Sequence, residues 1–150
     1  MELRVLGLKN IREIKRLILE IFSGEPWWDV WTDEQLQAYV SELLQGSNPL
    51  SLGLYEDGAL IGIALGRVRH WCTGTEYWID EFRIVPEKQN QGIGTEFLRQ
   101  IKDFLAEKGI TCIVLLTEKT VPAYHFYRRN GFREKEETVL FTAEFHSPPG

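Results

Sequence analysis

The sequence predicts one domain of mixed α/β class, in which helices alternate with the strands of a sheet. Its 150 residues are 43% hydrophobic and 26% charged, the balance of an ordinary domain with one buried core. Several segments carry apolar residues at spacings of three and four, which indicates amphipathic helices. Short apolar runs bounded by Gly, Pro or Asp-Gly indicate strands. The expected order is β-α-α-β-β-β-α-β-α-β, with one further strand left open.

The first third of the chain predicts one strand and two helices. Residues 2–6 are the strand candidate, and Asn10 is placed to cap a helix with one apolar face. Residues 23–31 then break this helix with Gly, Pro and three Trp. Thr32 and Gln35 have the spacing of a capping box, so a second helix is expected to begin there.

The middle of the chain predicts three strands joined by tight turns. Residues 50–55 and 59–68 flank Asp57-Gly58, a pair that favours a two-residue hairpin turn. Thr73-Gly74 marks the next turn, and a strand over residues 76–85 follows until a proline ends it.

The last part of the chain predicts two helices and up to three strands. Helical periodicity returns over residues 93–105, and residues 110–116 form a continuous apolar run typical of a strand buried on both faces. Pro122 is suited to the first turn of a short helix, which is expected to end at Gly131 in a left-handed cap. Residues 132–145 predict one or two final strands.

Composition and charge narrow the classes of function. No linker or repeat divides residues 1–150, so a single domain with a frayed tail at residues 146–150 is expected. Lys and Arg number 17 against 22 Asp and Glu, and the net charge of −5 argues against a partner nucleic acid. With no leader and no apolar run of roughly 20 residues, no membrane contact is expected and the location is cytoplasmic. Cys72 and Cys112 are expected to be buried, reduced thiols. The His residues lack metal-ligand spacing, so no metal is predicted.

Two glycines, Gly92 and Gly94, lie between a predicted strand and a predicted helix. Because glycine lacks a Cβ, the backbone there can turn tightly and an anion can approach its N–H groups. The N-terminus of a helix also offers unpaired donors and a favourable dipole. The P-loop pattern is absent because Lys and Ser/Thr do not follow Gly94 at the required spacing, and the dinucleotide-binding pattern is absent because position 97 is Phe. By themselves the two glycines favour an ordinary strand-to-helix connection.

The surrounding residues carry a family resemblance. Gln89-Asn90-Gln91-Gly92-Ile93-Gly94 resembles the Q/R-x-x-G-x-G/A signature of the GNAT superfamily of acyl-CoA-dependent N-acetyltransferases. Residues 122–132 resemble that family's A-x-x-x-Y-x-x-x-G-F segment, and Thr120 stands where many relatives have Asn. The chain resembles bacterial members of the family that are like aminoglycoside 6′-N-acetyltransferases. The resemblance implies a GNAT-like fold with a mostly antiparallel sheet that splays after its fourth strand.

By this resemblance, acetyl-CoA is the acyl donor. Backbone N–H groups from Gln89 to Thr95 would hold its pyrophosphate, and residues 82–84 would pair with its pantetheine amides as an added strand does. The helix after Pro122 would form the opposite wall of the cleft. The cofactor-binding residues so implied are Phe82, Arg83, Ile84, Gln89, Asn90, Gln91, Gly92, Ile93, Gly94, Thr95, Thr120, Ala123 and Phe126.

Acetyl transfer to an amine needs a neutral nitrogen, a stabilised oxyanion and a proton for the departing thiolate. The resemblance implies Tyr127 as the proton donor, although an aromatic residue in a helix stripe is the alternative. Asp80 and Glu81 are the candidate bases and point to opposite faces of one strand. Strict alternation groups Asp80 with the more apolar face, so Asp80 is expected to be the less solvated carboxylate. The choice between the two, or a chain of water molecules, is left open.

The acceptor side is predicted from a loop rich in acids and tryptophans. Five acids and no Lys or Arg lie between Glu20 and Glu34, with three Trp among them. Acids and aromatic faces together favour a cation. The alternative is that the tryptophans fix the loop to the core. The expected acceptor-binding residues are Glu25, Trp27, Trp28, Asp29, Trp31 and Trp71.

The expected acceptor is therefore the primary amine of a small cationic molecule, aminoglycoside-like or polyamine-like. A protein or peptide amine is one alternative, and a non-catalytic acyl-CoA-binding sensor domain is another. The resemblance also leaves a homodimer open, because C-terminal strands often join subunits in this family.

Overall fold

Helices and strands follow one another nearly as predicted in a computed structural model that describes residues 1–24, 27 and 29–146. The chain divides into two compact units, Met1–Leu116 and Thr117–Gly150. The described part of the second unit, residues 117–146, contains one helix, α4 (Pro122–Arg129). The elements of the first unit are β1 (Glu2–Leu6), α1 (Ile11–Phe22), α2 (Asp33–Gln45), β2 (Pro49–Glu56), β3 (Ala59–Trp71), β4 (Gly74–Ile84), α3 (Ile93–Glu107) and β5 (Cys112–Leu115).

Local sequence signals set the starts of the first two helices in different ways. The Gln35 N–H donates to Thr32 Oγ1 at 3.1 Å, and the Thr32 N–H donates to Gln35 Oε1 at 2.9 Å, so the predicted capping box is confirmed. Asn10 does not cap α1 with its side chain, because its backbone lacks the extended conformation of an N-cap. Its Oδ1 instead accepts from the Gly7 N–H at 3.0 Å and braces the turn before the helix.

The sheet has the order β1-β2-β3-β4-β5, with antiparallel neighbours except for the parallel pair β4 and β5. Asp57 (φ 50°) and Gly58 (φ 80°) both adopt the left-handed conformation in the tight turn between β2 and β3, as predicted. β5 pairs only with Glu76 to Ile79 of β4, although β4 continues to Ile84. The two strands therefore diverge beyond Ile79, and the predicted splay after the fourth strand is confirmed.

A β-bulge interrupts β4 at Asp80. Leu65 of β3 pairs with Glu81 and Gly66 pairs with Ile79, which leaves Asp80 as the extra residue. Because an extra residue exchanges the two faces of a strand, the alternation predicted across this point is wrong. Asp80 is exposed and Glu81 is only 8% exposed, so the expected order of their burial is reversed.

The sheet of the first unit is covered by helices on both faces. The ring of Phe82 stacks on Phe97 of α3 at 5.4 Å between centroids, which places α3 on one face. Tyr39 of α2 donates a hydrogen bond to Glu81, which places α2 on the other. The largest fully buried side chains come from these layers and from the strands between them: Tyr77, Phe97, Ile14, Ile18, Leu36, Leu52, Leu54, Ile63, Leu65, Leu98, Ile101 and Leu105.

Two predictions about β5 and the cysteines are wrong. β5 is half-buried, not buried on both faces, because it lies at the end of the sheet. Cys112 begins this strand and Cys72 lies in the turn between β3 and β4, so both thiols are free and exposed. Within residues 1–24, 27 and 29–146, no helix is both long and apolar enough to cross a bilayer.

The second unit lacks the strands predicted after α4. The helix ends as expected, with Gly131 in the left-handed conformation (φ 88°) and the Phe132 N–H donating to the Tyr127 carbonyl at 3.0 Å. Residues 132–146 contain no strand, and residues 147–150 of the predicted tail lie outside the described part of the chain. A strand needs a neighbour to pair with its backbone, which local β-propensity does not supply. The segment's large apolar side chains are exposed: Val139, Leu140, Phe141 and Phe145.

Candidate active site

The edge of β4 that faces away from β3 is the first part of the site. The Val85 N–H donates to the Ile61 carbonyl at 2.9 Å, so residues 81, 83 and 85 direct their backbone groups toward β3. Phe82 and Ile84 therefore direct theirs toward the opposite edge, where β5 has already diverged. Of the three strand residues predicted to pair with pantetheine, Arg83 does not present its backbone there. An extended chain of amides fits this edge as an added strand.

The turn between β4 and α3 is the second part. Asn90 (φ 60°) and Gly92 (φ 78°) adopt the left-handed conformation and turn the chain into the helix, which begins at Ile93. The first helical bond runs from the Glu96 N–H to the Gly92 carbonyl at 3.1 Å, so the N–H groups of the first turn have no acceptor within the helix. Apart from the backbone next to Gly92 in the chain, no described atom lies within 4 Å of where a Gly92 Cβ would be. Open space in front of a helix N-terminus fits a phosphate.

Two glutamine side chains brace this turn. Gln91 Nε2 donates to the Glu87 carbonyl at 2.9 Å, and Gln89 Nε2 donates to the Ile84 carbonyl at 3.0 Å. Both side-chain amides therefore bind backbone carbonyls. The groups of this segment that are suited to bind an anion are its backbone N–H groups, as predicted for them from the resemblance. The second of these bonds also joins the turn to the open edge of β4.

Glu81 is the buried carboxylate of the site. Its Oε1 accepts a hydrogen bond from the Tyr39 hydroxyl, and its Oε2 lies 3.1 Å from Arg83 Nε. Burial first, and then the negative charge of Glu81, raise the pKa of Tyr39 far above its ordinary value. The phenol therefore remains a proton donor to the carboxylate throughout the physiological range.

Aromatic rings from the end of α1, from the α1–α2 connection and from α2 lie around this pair. The guanidinium carbon of Arg83 lies 5.0 Å from the ring centroid of Phe22 and 5.8 Å from that of Trp27. Trp31 stacks on Tyr39 at 5.5 Å between centroids. Its Nε1 is buried without an acceptor among the described residues. We call this group of residues the Glu81 cluster: Phe22, Trp27, Trp31, Tyr39, Glu81 and Arg83.

The cluster unites only some of the predicted acceptor-binding residues. Trp27 and Trp31 belong to it, whereas Asp29 is exposed and Glu25 and Trp28 lie outside the described residues. Trp71 is 63% exposed at the far end of β3, six residues from Leu65, which pairs with Glu81. Six residues of strand span roughly 20 Å, so Trp71 is not part of the cluster.

Sequence reasoning missed Tyr39 and Phe22 as members of this cluster. Both lie in the apolar stripes of helices, where their spacing indicates core packing and nothing more. The signal that would have found them is the pairing of β3 with β4, since the bulge turns Glu81 toward them. Asp80, the extra residue, lies one position beyond the last pair of β4 with β5. Its exposed carboxylate is therefore located where the two strands diverge.

The second unit holds the remaining predicted residues. Tyr127 is buried, with the rings of Phe126 and Phe132 edge-on at 5.4 and 5.3 Å. Ala123 and Phe126 are half-buried on α4, and Thr120 is exposed just before it. In the part of the chain that the structure describes, no three His, Cys, Asp or Glu side chains are grouped to hold a metal ion.

Comparison with known proteins identifies the family. Solved structures with the same fold include a ribosomal-protein-alanine N-acetyltransferase from Brucella melitensis biovar Abortus 2308, with 17% identity, a TM-score of 0.74 and coverage of 97% of this chain and 100% of that one. Aminoglycoside N-acetyltransferase AAC(6')-Iy, in complex with a CoA bisubstrate analogue, has 18% identity, a TM-score of 0.71 and coverage of 96% and 98%.

An aminoglycoside acetyltransferase from an uncultured soil metagenomic sample, in complex with sisomicin, has 18% identity, a TM-score of 0.74 and coverage of 97% and 96%. No curated protein matches the chain. The sequence model of the acetyltransferase (GNAT) family matches residues 11–132. Because this match spans most of the chain and includes both motifs, the chain belongs to the acetyltransferase (GNAT) family.

Proposed function

We propose that the chain transfers the acetyl group of acetyl-CoA to a primary amine of a small cationic molecule. The amine attacks the thioester directly in a ternary complex. A bond forms between the nitrogen and the carbonyl carbon, and the bond between that carbon and sulfur breaks. The amine loses a proton to a base, and the thiolate of CoA gains one from an acid.

The observation that supports this proposal is the path from the open edge of β4 into the turn at Gly92. Phe82 and Ile84 direct backbone groups to that edge, and the first turn of α3 offers N–H donors beyond it. An extended amide arm that ends in a pyrophosphate matches both parts in order. When bound there, acetyl-CoA supplies the activated acetyl group.

For proton transfer we assign Asp80 as the base and Tyr127 as the acid. Both oxygens of Glu81 are engaged by neighbouring side chains, whereas the Asp80 carboxylate is exposed where β4 and β5 diverge. Asp80 accepts the amine proton directly or through water. Tyr127 has the position that the family motif gives to the proton donor, and an ordinary phenol is protonated at pH 7.

Titration calorimetry tests the cofactor part of this proposal. The purified chain is expected to bind acetyl-CoA and CoA, and Gly92→Val is expected to lose at least tenfold in affinity because the side chain fills the space in front of the N–H groups. Thr73→Val, in the exposed turn between β3 and β4, is the control and is expected to bind normally. Absence of heat with either ligand on the unaltered chain would refute the proposal.

Release of CoA thiol across a panel of amines tests the reaction and its acceptor. The panel contains neamine, spermidine, a peptide with a free N-terminal alanine and a peptide with an internal lysine. Turnover with the first two supports a small cationic acceptor. Turnover with the peptides alone would favour a protein acetyltransferase. Binding of CoA without turnover on any amine would leave a non-catalytic sensor domain.

A further inference from the structure

We propose that Arg83 occupies the position of the acceptor's cation in the unliganded protein, and that a cationic acceptor binds by displacing Arg83 from Glu81. This inference rests on the proposed function, because it treats the Glu81 cluster as the acceptor side of the site. It makes Arg83 a specificity-determining residue through its side chain, a role separate from its backbone in β4.

The surroundings of Arg83 are those that recognise a ligand ammonium group. A carboxylate oxygen of Glu81 lies 3.1 Å from its Nε, and the rings of Phe22 and Trp27 face its guanidinium at 5.0 and 5.8 Å. A carboxylate with aromatic faces is the usual cage for a cationic ligand. In this chain Glu81, Phe22 and Trp27 form such a cage, and the side chain of Arg83 fills it.

Burial indicates which partner can leave. The Arg83 side chain is 28% exposed and that of Glu81 is 10% exposed. The arginine is therefore the outer member of the pair and has a route to solvent, where its guanidinium is well hydrated. Tyr39 continues to donate to the other carboxylate oxygen, so Glu81 keeps its place when the arginine departs. The raised pKa of Tyr39 ensures that this donor stays protonated.

Electrostatics allow only one cation in this cage at a time. Glu81 supplies a single negative charge, and its second oxygen accepts from a neutral phenol. A second cation beside Arg83 would meet a like charge a few ångströms away in a partly buried site, where repulsion is poorly screened. Binding of the acceptor's cation and pairing of Arg83 with Glu81 are therefore mutually exclusive.

The competition reduces the apparent affinity for the acceptor. When only a fraction of molecules has the cage open, the observed dissociation constant is the intrinsic one divided by that fraction. An arginine that leaves Glu81 about one tenth of the time weakens binding about tenfold, or about 1.4 kcal/mol. Removal of the arginine side chain is expected to increase the apparent affinity for the acceptor by the same factor, about tenfold.

The first test measures the cage without any catalysis. Methylguanidinium is titrated into the unaltered chain, into Arg83→Ala and into the double variant Arg83→Ala/Glu81→Gln, with calorimetry and the thermal unfolding midpoint as readouts. Arg83→Ala is expected to bind the ion at millimolar concentration and to be stabilised by it, whereas the other two are not. Equal behaviour of Arg83→Ala and the unaltered chain would overturn the proposal. If Arg83→Ala folds only with the ion present, that rescue supports the cage, and failure to fold with or without it counts against it.

The second test measures competition during turnover. The KM for spermidine and neamine is expected to fall about tenfold in Arg83→Gln and two- to threefold in Arg83→Lys, with the affinity for CoA unchanged. Arg12→Gln removes an exposed positive charge on α1 and is the control, with an unchanged KM. An unchanged or higher KM in Arg83→Gln would refute displacement. If no amine is acetylated, the proposed reaction fails, and the methylguanidinium result still decides the question of the cage.

Discussion

Gly66→Ala is expected to destabilise the protein because the bulge in β4 leaves no room for a methyl group beside Gly66. A Cβ at this position would lie 2.2 Å from the Trp78 carbonyl oxygen and 3.1 Å from the Cα of Ile79. Both atoms belong to the backbone of the paired strand, so neither can rotate away. Restoring a contact of 3.4 Å requires that the Cβ and the oxygen separate by about 1.2 Å (3.4 − 2.2). A shift of that size breaks ladder hydrogen bonds at the bulge.

The size of the effect follows from two costs, the overpacking around the new methyl group and the loss of hydrogen bonds at the bulge. Overpacking in a well-packed interior costs about 1–3 kcal/mol, and each lost hydrogen bond adds about 0.5–1.5 kcal/mol. We expect the free energy of unfolding to fall by about 2–4 kcal/mol. Gly62→Ala is the matched control on the same strand. Its Cβ would meet the terminal Cδ1 of Ile84 at 2.8 Å, and because that atom ends a flexible side chain, a loss of about 1 kcal/mol or less is expected.

Urea unfolding followed by circular dichroism measures the difference between these variants. The midpoint of Gly66→Ala is expected to lie well below that of Gly62→Ala, with similar slopes, because the change acts on the folded state. Equal midpoints for the two variants would show that β4 does not approach Gly66 in this way. The assignment of Glu81 and Asp80 to different environments would then lose its basis.

Four further outcomes are expected. Gly92→Ala places a side chain at a positive φ of 78° and should lower the free energy of unfolding by about 1–2 kcal/mol. Urea unfolding measures this change, and an unchanged midpoint would contradict the left-handed conformation at Gly92. Tyr39→Phe removes a donor to a buried carboxylate and should lower stability by about 1–3 kcal/mol, whereas a neutral effect in thermal unfolding would argue against that bond. Burial, and then a hydrogen bond to the Glu13 carboxylate, raise the pKa of Tyr55 to about 12 in the folded chain. The stability that this shift contributes is therefore full below pH 10, the pKa of an unperturbed tyrosine, and is lost as the pH rises toward 12. Tyr55→Phe should flatten the pH dependence of the unfolding midpoint in that window, and a slope equal to that of the unaltered chain would count against the shift. Phe141→Asp tests the homodimer that the family resemblance leaves open: if the exposed apolar segment after α4 joins two copies, the unaltered chain is dimeric and the variant monomeric in light scattering, whereas a monomeric unaltered chain would remove the case for self-association.

Features that short stretches of chain determine could be predicted from the sequence. The capping box at Thr32 and Gln35, the turn at Asp57-Gly58 and the left-handed Gly131 each depend on residues next to one another. The order of the elements through α4 was likewise correct. These features need no knowledge of what the segment later packs against.

Features that depend on residues distant in the sequence could not be predicted. The bulge at Asp80 requires Gly66, which lies on a different strand, and no pattern of residues within β4 indicates a bulge. Its effect was to exchange the environments of Asp80 and Glu81, so the argument from alternation chose the wrong carboxylate as the buried one. Tyr39 joined the site for the same reason, since only the folded sheet brings α2 to Glu81. The strands predicted over residues 132–145 failed because β-propensity does not provide a neighbouring strand.

The extra residue in β4 also bears on how this site can change between descendants of the gene. Loss of the single codon for Asp80 would restore an uninterrupted ladder, and Glu81 and the residues after it would keep their present partners in β3. Arg83 and Ile84 would therefore stay on their present faces, and the exposed carboxylate alone would be lost. Loss of a paired residue such as Phe82 would instead shift the register of β4 and move the residues after it to the opposite face.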